Sequence, residues 1–295
     1  MTEVTFPTGK PHVSFSEIRS WSECSFRHKL QQIDKIDAWR PSIHASFGKT
    51  IHSVCESYLK SRIIDKDFYV TEFDKMWAGI NEETENAIKT LQEKQDRNQI
   101  EDKALQSLQK ALRDISPGQK GEWLGQGMGI IEEVPGFLEE TFPEWEYLAA
   151  EAQLYEMMEK HGISFKGFID AVIRVKGPKG KDLVWILDHK TCGWGWDMQK
   201  KTDPMVRSQL VYYKHFWSQK LGVDFKDVRC GFVLLKRTAK PGNRCELIPV
   251  SVGDVTLGRS LKILDNMVSS VKNGIAIKNR ESCKWCDFKG TKWCP

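Results

Sequence analysis

The chain has 295 residues, of which 40% are hydrophobic and 28% charged, so it can bury a core and is not of the intrinsically disordered class. Its formal net charge is only +4, so any site for a polyanion must be a local basic groove. No long apolar run and no charged-then-apolar leader are present, which predicts neither a membrane span nor a secretory signal. Eight cysteines in such a chain indicate thiols or metal ligands in a reducing compartment, and we expect a cytoplasmic protein.

The N-terminal part of the sequence predicts two helices. Ser14 followed by Glu17 fits a capping box, and apolar side chains then recur at helical spacing, which predicts a helix over residues 15–31. Cys24 would lie inside this helix. A second helix is expected to begin near Gly48.

The middle of the chain, from about residue 60 to 146, is polar and rich in helix-forming residues, with a break at Pro117. Three β-rich segments, a helix, two further strands and a last amphipathic helix follow in order. This order predicts an α/β fold with a central mixed sheet flanked by helices. We interpret residues 1–295 as a single domain with a helical insertion at 60–146 and a cysteine tail at 283–295.

Two of the predicted strands end in carboxylates. Asp170 ends the segment GFID, and Asp188 ends the apolar part of VWILDHKT, with Lys190 two positions later. Asp188 and Lys190 should project to one side of their strand while His189 faces away, and a hairpin at GPKGK would bring Asp170 alongside Asp188. Converging carboxylates suit Mg²⁺, and a lysine beside them can position a water and stabilise charge on a phosphate. This set therefore fits hydrolysis of a phosphodiester.

The D-x-K spacing by itself is weak evidence, because a solvated strand end would look the same. Other copies occur by chance at Glu101–Lys103, Asp224–Lys226 and Asp287–Lys289. Only the Asp188 copy follows an apolar strand with a second strand-borne Asp before it, which leaves a metal site and an ordinary strand end evenly balanced. Taken alone, His52 is an ordinary helical histidine, and Gln209 with Tyr213 forms an ordinary polar helix face.

Three of the eight cysteines, Cys283, Cys286 and Cys294, stand in the last thirteen residues, CKWCDFKGTKWCP. A C-x-x-C turn supplies two thiolates at once, and its closeness to a further cysteine is uncommon by chance. A four-coordinate site would need one more thiol from elsewhere in the chain. Both tetrahedral Zn²⁺ and an iron–sulfur cluster take four cysteines.

Together these motifs resemble the RecB-like branch of the PD-(D/E)XK nuclease superfamily in order, spacing and residue type. VSFSEIRSWSECSFRHKL is similar to the Ser-plus-Cys helix of that branch, and FGKTIH to its Gly-x-x-x-His motif. GFID, ILDHK and QLVYY are similar to its Asp, (D/E)-x-K and Q-x-x-x-Y motifs. The resemblance implies a restriction-endonuclease-like core, which would make residues 60–146 an addition to it.

The resemblance also implies the roles of individual residues, with one or two Mg²⁺ or Mn²⁺ ions as cofactor. The implied metal ligands are His52, Asp170, Asp188 and the carbonyl of His189. Lys190 would act on the attacking water, and Glu151 would act through a water. Gln209 and Tyr213 would support the site and contact DNA.

A subset of this branch, which includes the AddB nuclease and CRISPR-associated adaptation nucleases, holds a [4Fe–4S] cluster on one N-terminal and three C-terminal cysteines. The matching residues here are Cys24, Cys283, Cys286 and Cys294. Zn²⁺ on the same four thiols is the alternative. The remaining thiols are interpreted as core residues (Cys55, Cys230 and Cys245) or are given no role (Cys192).

The implied activity is that of a metal-dependent DNA nuclease, and an exonuclease acting on DNA ends or single strands is the first choice. A helicase or recombination partner and a role in DNA repair or recombination would fit such an enzyme. The alternatives are a structure-specific or CRISPR-adaptation endonuclease and a non-catalytic DNA-binding subunit. Trp194 and Trp196 could stack on bases or pack in the core.

Overall fold

The structure is a computed structural model, and it describes residues 6–295 apart from the side chains of Lys179 and Trp285. The strands of this part are β1 (His12–Ser14), β2 (Glu146–Met158), β3 (Ile163–Lys176), β4 (Asp182–Cys192), β5 (Val228–Lys236) and β6 (Cys245–Pro249). The α-helices are α1 (Phe15–Glu23), α2 (Ser25–His28), α3 (Ile43–Ser61), α4 (Lys66–Glu93), α5 (Gln99–Asp114), α6 (Pro117–Thr141), α7 (Met198–Thr202), α8 (Pro204–Leu221) and α9 (Asp254–Lys272). None of the helices in this part combines the length and hydropathy needed to cross a bilayer.

The sheet is mixed and has the strand order β1-β3-β4-β5-β6, with β2 pairing with β3 as well. The predicted β3–β4 hairpin is present and antiparallel, whereas β4 runs parallel to β5. One face of the sheet packs against α3, α4 and α6, and the other face packs against α1, α8 and α9. The predicted α/β fold with a central mixed sheet flanked by helices is therefore confirmed.

The predicted N-terminal helix is interrupted at Cys24. Ser14 caps α1 by accepting a hydrogen bond from the Glu17 amide at 3.4 Å, as expected for a capping box. The Glu17 carboxylate instead meets His28 at 3.0 Å in a buried pair, so the box is only half formed. Cys24 has extended angles (φ −163°, ψ 105°), and its Sγ accepts from the Arg27 amide at the start of α2. The prediction that Cys24 lies within one continuous helix is therefore wrong, and the thiol instead caps the second helix.

The second helix begins earlier than predicted, at Ile43, because Ser42 caps it by accepting from the Ala45 amide. Gly48 lies inside this helix, where a Cβ would stand only 2.9 Å from Oγ1 of Thr191 at the end of β4. The missing side chain therefore allows α3 to lie close to the strand that carries the D-x-K motif.

Helices α4, α5 and α6 occupy the region from about residue 60 to 146, and Pro117 stands at the first turn of α6 as the predicted break requires. Trp77 of α4 and Ile130 of α6 contribute to the core under α3. The start of α5 packs elsewhere, because Ile100 joins Leu30 and Phe288 in a small separate cluster beside the cysteine tail. The interpretation of this region as an insertion into a single domain stays a prediction.

Candidate metal centre

The end of the β3–β4 hairpin carries the two predicted carboxylates. The β3–β4 register pairs Ala171 with Leu187, and its next step sets Asp170 opposite Asp188. Asp170 Oδ2 accepts a hydrogen bond of 2.6 Å from the His189 amide instead of a ladder partner. The side chain of Asp170 is therefore fixed against the neighbouring strand at the point where strand pairing stops.

Asp188 and Lys190 project together from β4, as the two-residue spacing predicts. Lys190 Nζ lies 2.6 Å from Asp188 Oδ2. On helix α8, the Gln209 amide donates to Asp188 Oδ1 at 2.8 Å and contacts the Tyr213 hydroxyl at 3.1 Å. Gln209 therefore fixes the orientation of the Asp188 carboxylate, and Tyr213 supports Gln209.

The buried carboxylate of Asp188 retains an incompletely satisfied oxygen. The residue is only 2% exposed, and Oδ2 meets the Lys190 ammonium as an ion pair rather than as a regular hydrogen bond. Buried charges in proteins are paired or coordinate metals. A divalent cation beside this carboxylate would add to the positive charge that Lys190 supplies.

His52 and Glu151 complete a compact group with Asp170. His52 is one helical turn after Gly48 on α3, and its Nδ1 lies 3.6 Å from Asp170 Oδ2. One ligand atom from each of His52, Glu151 and Asp170 lies within 4.8 Å of the others. The group combines three chain segments that are 19 to 118 residues apart, and Glu151 is exposed, so an ion could reach it.

The backbone of Glu151 is unusual for a strand residue. Its φ is +48°, in the left-handed region that L-residues other than glycine seldom adopt. The strand changes phase here, since Ala150 packs on the core beside α3 whereas Ala152 and Leu154 pack on the opposite core. Strained residues of this kind cluster at functional sites. The strain at Glu151 turns its carboxylate towards His52 and Asp170.

Negative charge accumulates at this centre. Burial raises the pKa of Asp188, and the nearby Asp170 raises it further against the opposing effect of Lys190. Burial also raises the pKa of Glu151, again with a contribution from Asp170. Both carboxylates are therefore costly to ionise in the metal-free site, and a divalent cation would remove that cost.

His189 faces away from Asp188 and Lys190, as predicted. Its ring is buried with its centroid 5.6 Å from that of His52, and burial together with His52 lowers its pKa to about 3. The ring is therefore neutral at physiological pH. The prediction that its carbonyl binds the metal stays a prediction.

The donor set fits a hard or borderline divalent ion. Carboxylate oxygens and one imidazole nitrogen are ligands that Mg²⁺ and Mn²⁺ accept, and the open side of Glu151 leaves room for bound water. The residues present therefore fit the metal that the sequence implied.

The four predicted cluster cysteines line a single cavity. Cys24, at the break between α1 and α2, lines this cavity together with Cys283, Cys286 and Cys294. The amides of Arg27 and Asn279 both point at Cys24 Sγ, at 3.4 and 3.5 Å. Amide donors of this kind stabilise a thiolate that binds a metal or a cluster. The assignment of these four thiols as the ligands of one metal or cluster stays a prediction.

The other thiols have no comparable arrangement. Cys55 and Cys230 are buried in the two cores, and burial raises the pKa of Cys55 and brings that of Cys230 to about 12. Cys245 is half-buried, and burial raises its thiol pKa to about 12 as well. These cysteines are protonated packing residues.

Two further expectations concern residues outside the centre. Trp194 is 85% exposed, whereas Trp196 packs on Phe232 with ring centroids 5.1 Å apart, so only the first is free to stack on a ligand. The chance copy of the D-x-K spacing at Asp287 lies in the tail, where Asp287 forms an ion pair with Arg40 at 2.7 Å.

A family model described as the PD-(D/E)XK nuclease superfamily matches residues 12–295. A search of curated proteins found no match. Among solved structures, a protein from Eubacterium rectale named "Putative exonuclease" is similar, with a TM-score of 0.50, 14% identity, 97% of this chain covered and 91% of that chain. A structure named SSO0001 is 13% identical over 70% of this chain and 91% of that chain, with a TM-score of 0.32, which is too low to support an argument. The chain therefore belongs to the PD-(D/E)XK nuclease superfamily, whose members are hydrolytic nucleases that use divalent metal ions.

Proposed function

We propose that this protein is a Mg²⁺- or Mn²⁺-dependent deoxyribonuclease of the RecB-like branch, and that it acts as an exonuclease on DNA ends or single strands. The observation that carries the proposal is the convergence of His52, Glu151 and Asp170 beside the Asp188–Lys190 pair. The similarity to the Eubacterium rectale protein, which is named a putative exonuclease, agrees with this proposal.

In this proposal His52, Asp170 and Asp188 hold the ion, with the His189 carbonyl as a further ligand and Glu151 acting through a water. The ion, when bound, polarises the phosphate and lowers the pKa of bound water. Lys190 orients the attacking water and stabilises the charge that develops on the phosphate. Gln209 fixes the orientation of Asp188, and Tyr213 fixes Gln209.

A [4Fe–4S] cluster on Cys24, Cys283, Cys286 and Cys294 is the second part of the proposal. The shared cavity and the two amides directed at Cys24 support it, and Zn²⁺ on the same thiols is the alternative. Iron, sulfide and zinc content of anaerobically purified protein separates the two. A colourless protein with one zinc per chain would refute the iron–sulfur assignment.

The decisive test of the nuclease proposal is Lys190→Ala. We expect hydrolysis of end-labelled DNA to fall by about 100-fold or more, because the lysine orients the attacking water and stabilises the charge that develops on the phosphate. Lys226→Ala is the matched control, since Lys226 belongs to a chance copy of the same spacing in an exposed turn. Unchanged Mn²⁺-dependent cleavage by Lys190→Ala would refute the assignment.

The same assay with linear and circular substrates separates the proposed exonuclease from its alternatives. Cleavage of circular DNA would favour a structure-specific or CRISPR-adaptation endonuclease. DNA binding without any cleavage would indicate a non-catalytic subunit. A cytoplasmic location and a helicase or recombination partner in DNA repair follow from the proposal and belong to it.

A further inference from the structure

The β2–β3 ribbon carries an unusual set of side chains beside the metal centre. The register sets Gln153 opposite Phe168 and Tyr155 opposite Lys166. Directly opposite residues on antiparallel strands share one side of the sheet, and so do residues two apart. We call Gln153, Tyr155, Lys166 and Phe168 the ribbon face.

The core fixes the direction in which the ribbon face points. Leu154 and Phe165 are fully buried in the core beside α8. Gly167 lies on that same buried side, where a Cβ would stand 2.7 Å from the ring of Tyr213. Because side chains alternate along a strand, the ribbon face points to the opposite side of the sheet, where α3 carries His52.

No described helix covers the aromatic rings of the ribbon face. Phe168 remains 42% exposed and Tyr155 remains 43% exposed. Single exposed apolar side chains are ordinary, but two aromatic rings on paired strands form a local apolar patch that marks a binding surface. The patch therefore needs a ligand with flat apolar groups.

Two lysines stand at the ribbon face. Lys166 Nζ lies 5.6 Å from the Phe168 ring centroid. At the other end, the His12 ring is 5.8 Å from that of Tyr155, and after burial the main causes that lower the His12 pKa are Lys166 and Lys10. A ligand that combines flat apolar rings with negative charge fits this surface.

The ribbon face leads directly to the metal centre. The register that pairs Gln153 with Phe168 continues by two residues to Glu151 and Asp170. Along the backbone, Phe168 is two residues, or about 7 Å, from Asp170, and Tyr155 is four residues, or about 14 Å, from Glu151. A chain lying along the ribbon would therefore arrive at the carboxylates.

We propose that the ribbon face binds single-stranded DNA, whose bases stack on Phe168 and Tyr155 while Lys166 contacts the backbone, and that it delivers the strand to the metal centre. Bases of a duplex are stacked on each other, so only a single strand offers free base faces to these rings. This inference rests on the proposed nuclease function and specifies its substrate as a single strand.

The test is the double variant Phe168→Leu/Tyr155→Leu, which keeps apolar bulk and removes the aromatic rings. Binding of fluorescein-labelled oligothymidine is measured by fluorescence anisotropy in EDTA, so that no hydrolysis intervenes. We expect the Kd to rise about tenfold or more, because base–aromatic stacking contributes about 1–3 kcal/mol per base. Binding of a blunt duplex, whose bases are stacked on each other, should change by less than about twofold.

Matched variants make the result specific. Tyr155→Phe keeps the ring and should bind as the unmodified protein does, and Trp39→Leu removes an exposed ring outside the ribbon face without effect. Lys166→Ala should weaken binding and lower by about one the number of counterions released on binding, which the salt dependence of the Kd measures. Thermal unfolding of each variant confirms that it is folded. If the double variant does not fold, Lys166→Ala tests the inference independently.

An unchanged oligothymidine Kd in the folded double variant overturns the inference, and so does a loss of binding that follows Trp194→Leu instead. The proposed nuclease function can fail independently of this inference. If the unmodified protein cleaves no DNA with Mg²⁺ or Mn²⁺ but binds oligothymidine through these rings, the ribbon face stands and the nuclease proposal fails. If the double variant cleaves single strands as the unmodified protein does, the nuclease proposal stands and the ribbon-face inference fails.

Discussion

The metal centre and the cysteine cavity both collect residues from distant parts of the chain, but they rest on different supports. The metal centre draws its candidate ligands from adjacent strands and from α3. Asp188 lies in the β4–β5 ladder, and Glu151 and Asp170 are flanked by paired residues of β2 and β3. The cysteine cavity is closed by a helix break at Cys24 and by a tail whose regular structure is one 3₁₀ helix, Arg280–Trp285, and isolated bridges.

The tail contacts the rest of the chain through polar groups and a small buried cluster. Arg40 forms an ion pair with Asp287, and Lys103 of α5 donates to the carbonyls of Asp287 and Lys289. Ile100 adds the small cluster of buried contacts. A site carried by a sheet is formed before its ion binds, whereas thiolates on a loop gain much of their order from the metal that joins them. Loss of metal should therefore abolish activity at the metal centre, whereas at the cysteine tail it should abolish order.

The largest expected effect is on activity at the sheet-borne site. Asp170→Asn removes a ligand charge while an amide oxygen can still accept from the His189 amide, so we expect DNA hydrolysis to fall by about 1,000-fold. The unfolding midpoint of the metal-free protein should change little. Asp182→Asn, on the exposed start of β4, is the control and should retain activity. Full activity of Asp170→Asn would show that the metal lies elsewhere.

The second effect is on stability at the tail. In the proposed cluster, Cys286→Ala removes one of the four thiolates that would join Cys24 to the C-terminal residues. A lost cross-link over so long a loop should lower the free energy of unfolding by about 2–5 kcal/mol. Chemical denaturation measures this, and Mn²⁺ affinity at the sheet-borne site should stay the same. Cys245→Ala, on β6, should keep its iron or zinc. Equal metal content in Cys286→Ala would contradict the assignment of the four thiols.

A smaller effect tests how α3 reaches the sheet. Gly48→Ala places a Cβ 2.9 Å from Thr191 Oγ1, so α3 or the end of β4 must move and His52 with it. We expect a cost of about 1–2 kcal/mol after the helix gains from alanine, and a weaker Mn²⁺ affinity. Thermal unfolding and calorimetry measure the two. Adding Thr191→Ala removes the contact and should restore both values; failure to do so would indicate another cause.

The smallest effect is the pH dependence of metal binding. The pKa values of Asp188 and Glu151 are raised in the folded protein, so these carboxyls take up protons at higher pH than ordinary ones do. Protons and Mn²⁺ compete, so the Kd for Mn²⁺ should rise as pH falls from about 8 to 5, at most about tenfold per pH unit for each proton. Titration calorimetry measures it. Glu151→Gln should flatten the curve, and a Kd independent of pH would contradict the raised pKa values.

The raised values also give the sign for stability without metal. Between the ordinary carboxyl pKa and the raised one, the folded state binds more protons than the unfolded state does. The metal-free protein therefore gains stability as pH falls through this window and loses it as pH rises. The cysteine tail has no such carboxylate pair.

Local patterns predicted much of the fold. The apolar segments around Asp170 and Asp188 and the GPKGK turn specified a hairpin, and the alternation of a strand placed Lys190 beside Asp188 and turned His189 away. Helix periodicity failed at Cys24, because the pattern of apolar residues continues through the break. At this break the Cys24 thiol contacts the Asn279 amide and the Ile277 carbonyl, which are remote in sequence.

The sequence by itself determined the element types, the mixed sheet and the residue types of both candidate sites, because strand alternation, helix spacing and turn chemistry are local properties. Only the tertiary structure decided that Glu151 adopts a positive φ at a change of strand phase, that Gly48 lets α3 approach Thr191, and that Phe168 and Tyr155 stay uncovered. Each of these depends on which neighbour occupies the space beside a residue, and that is fixed by packing between segments far apart in the chain.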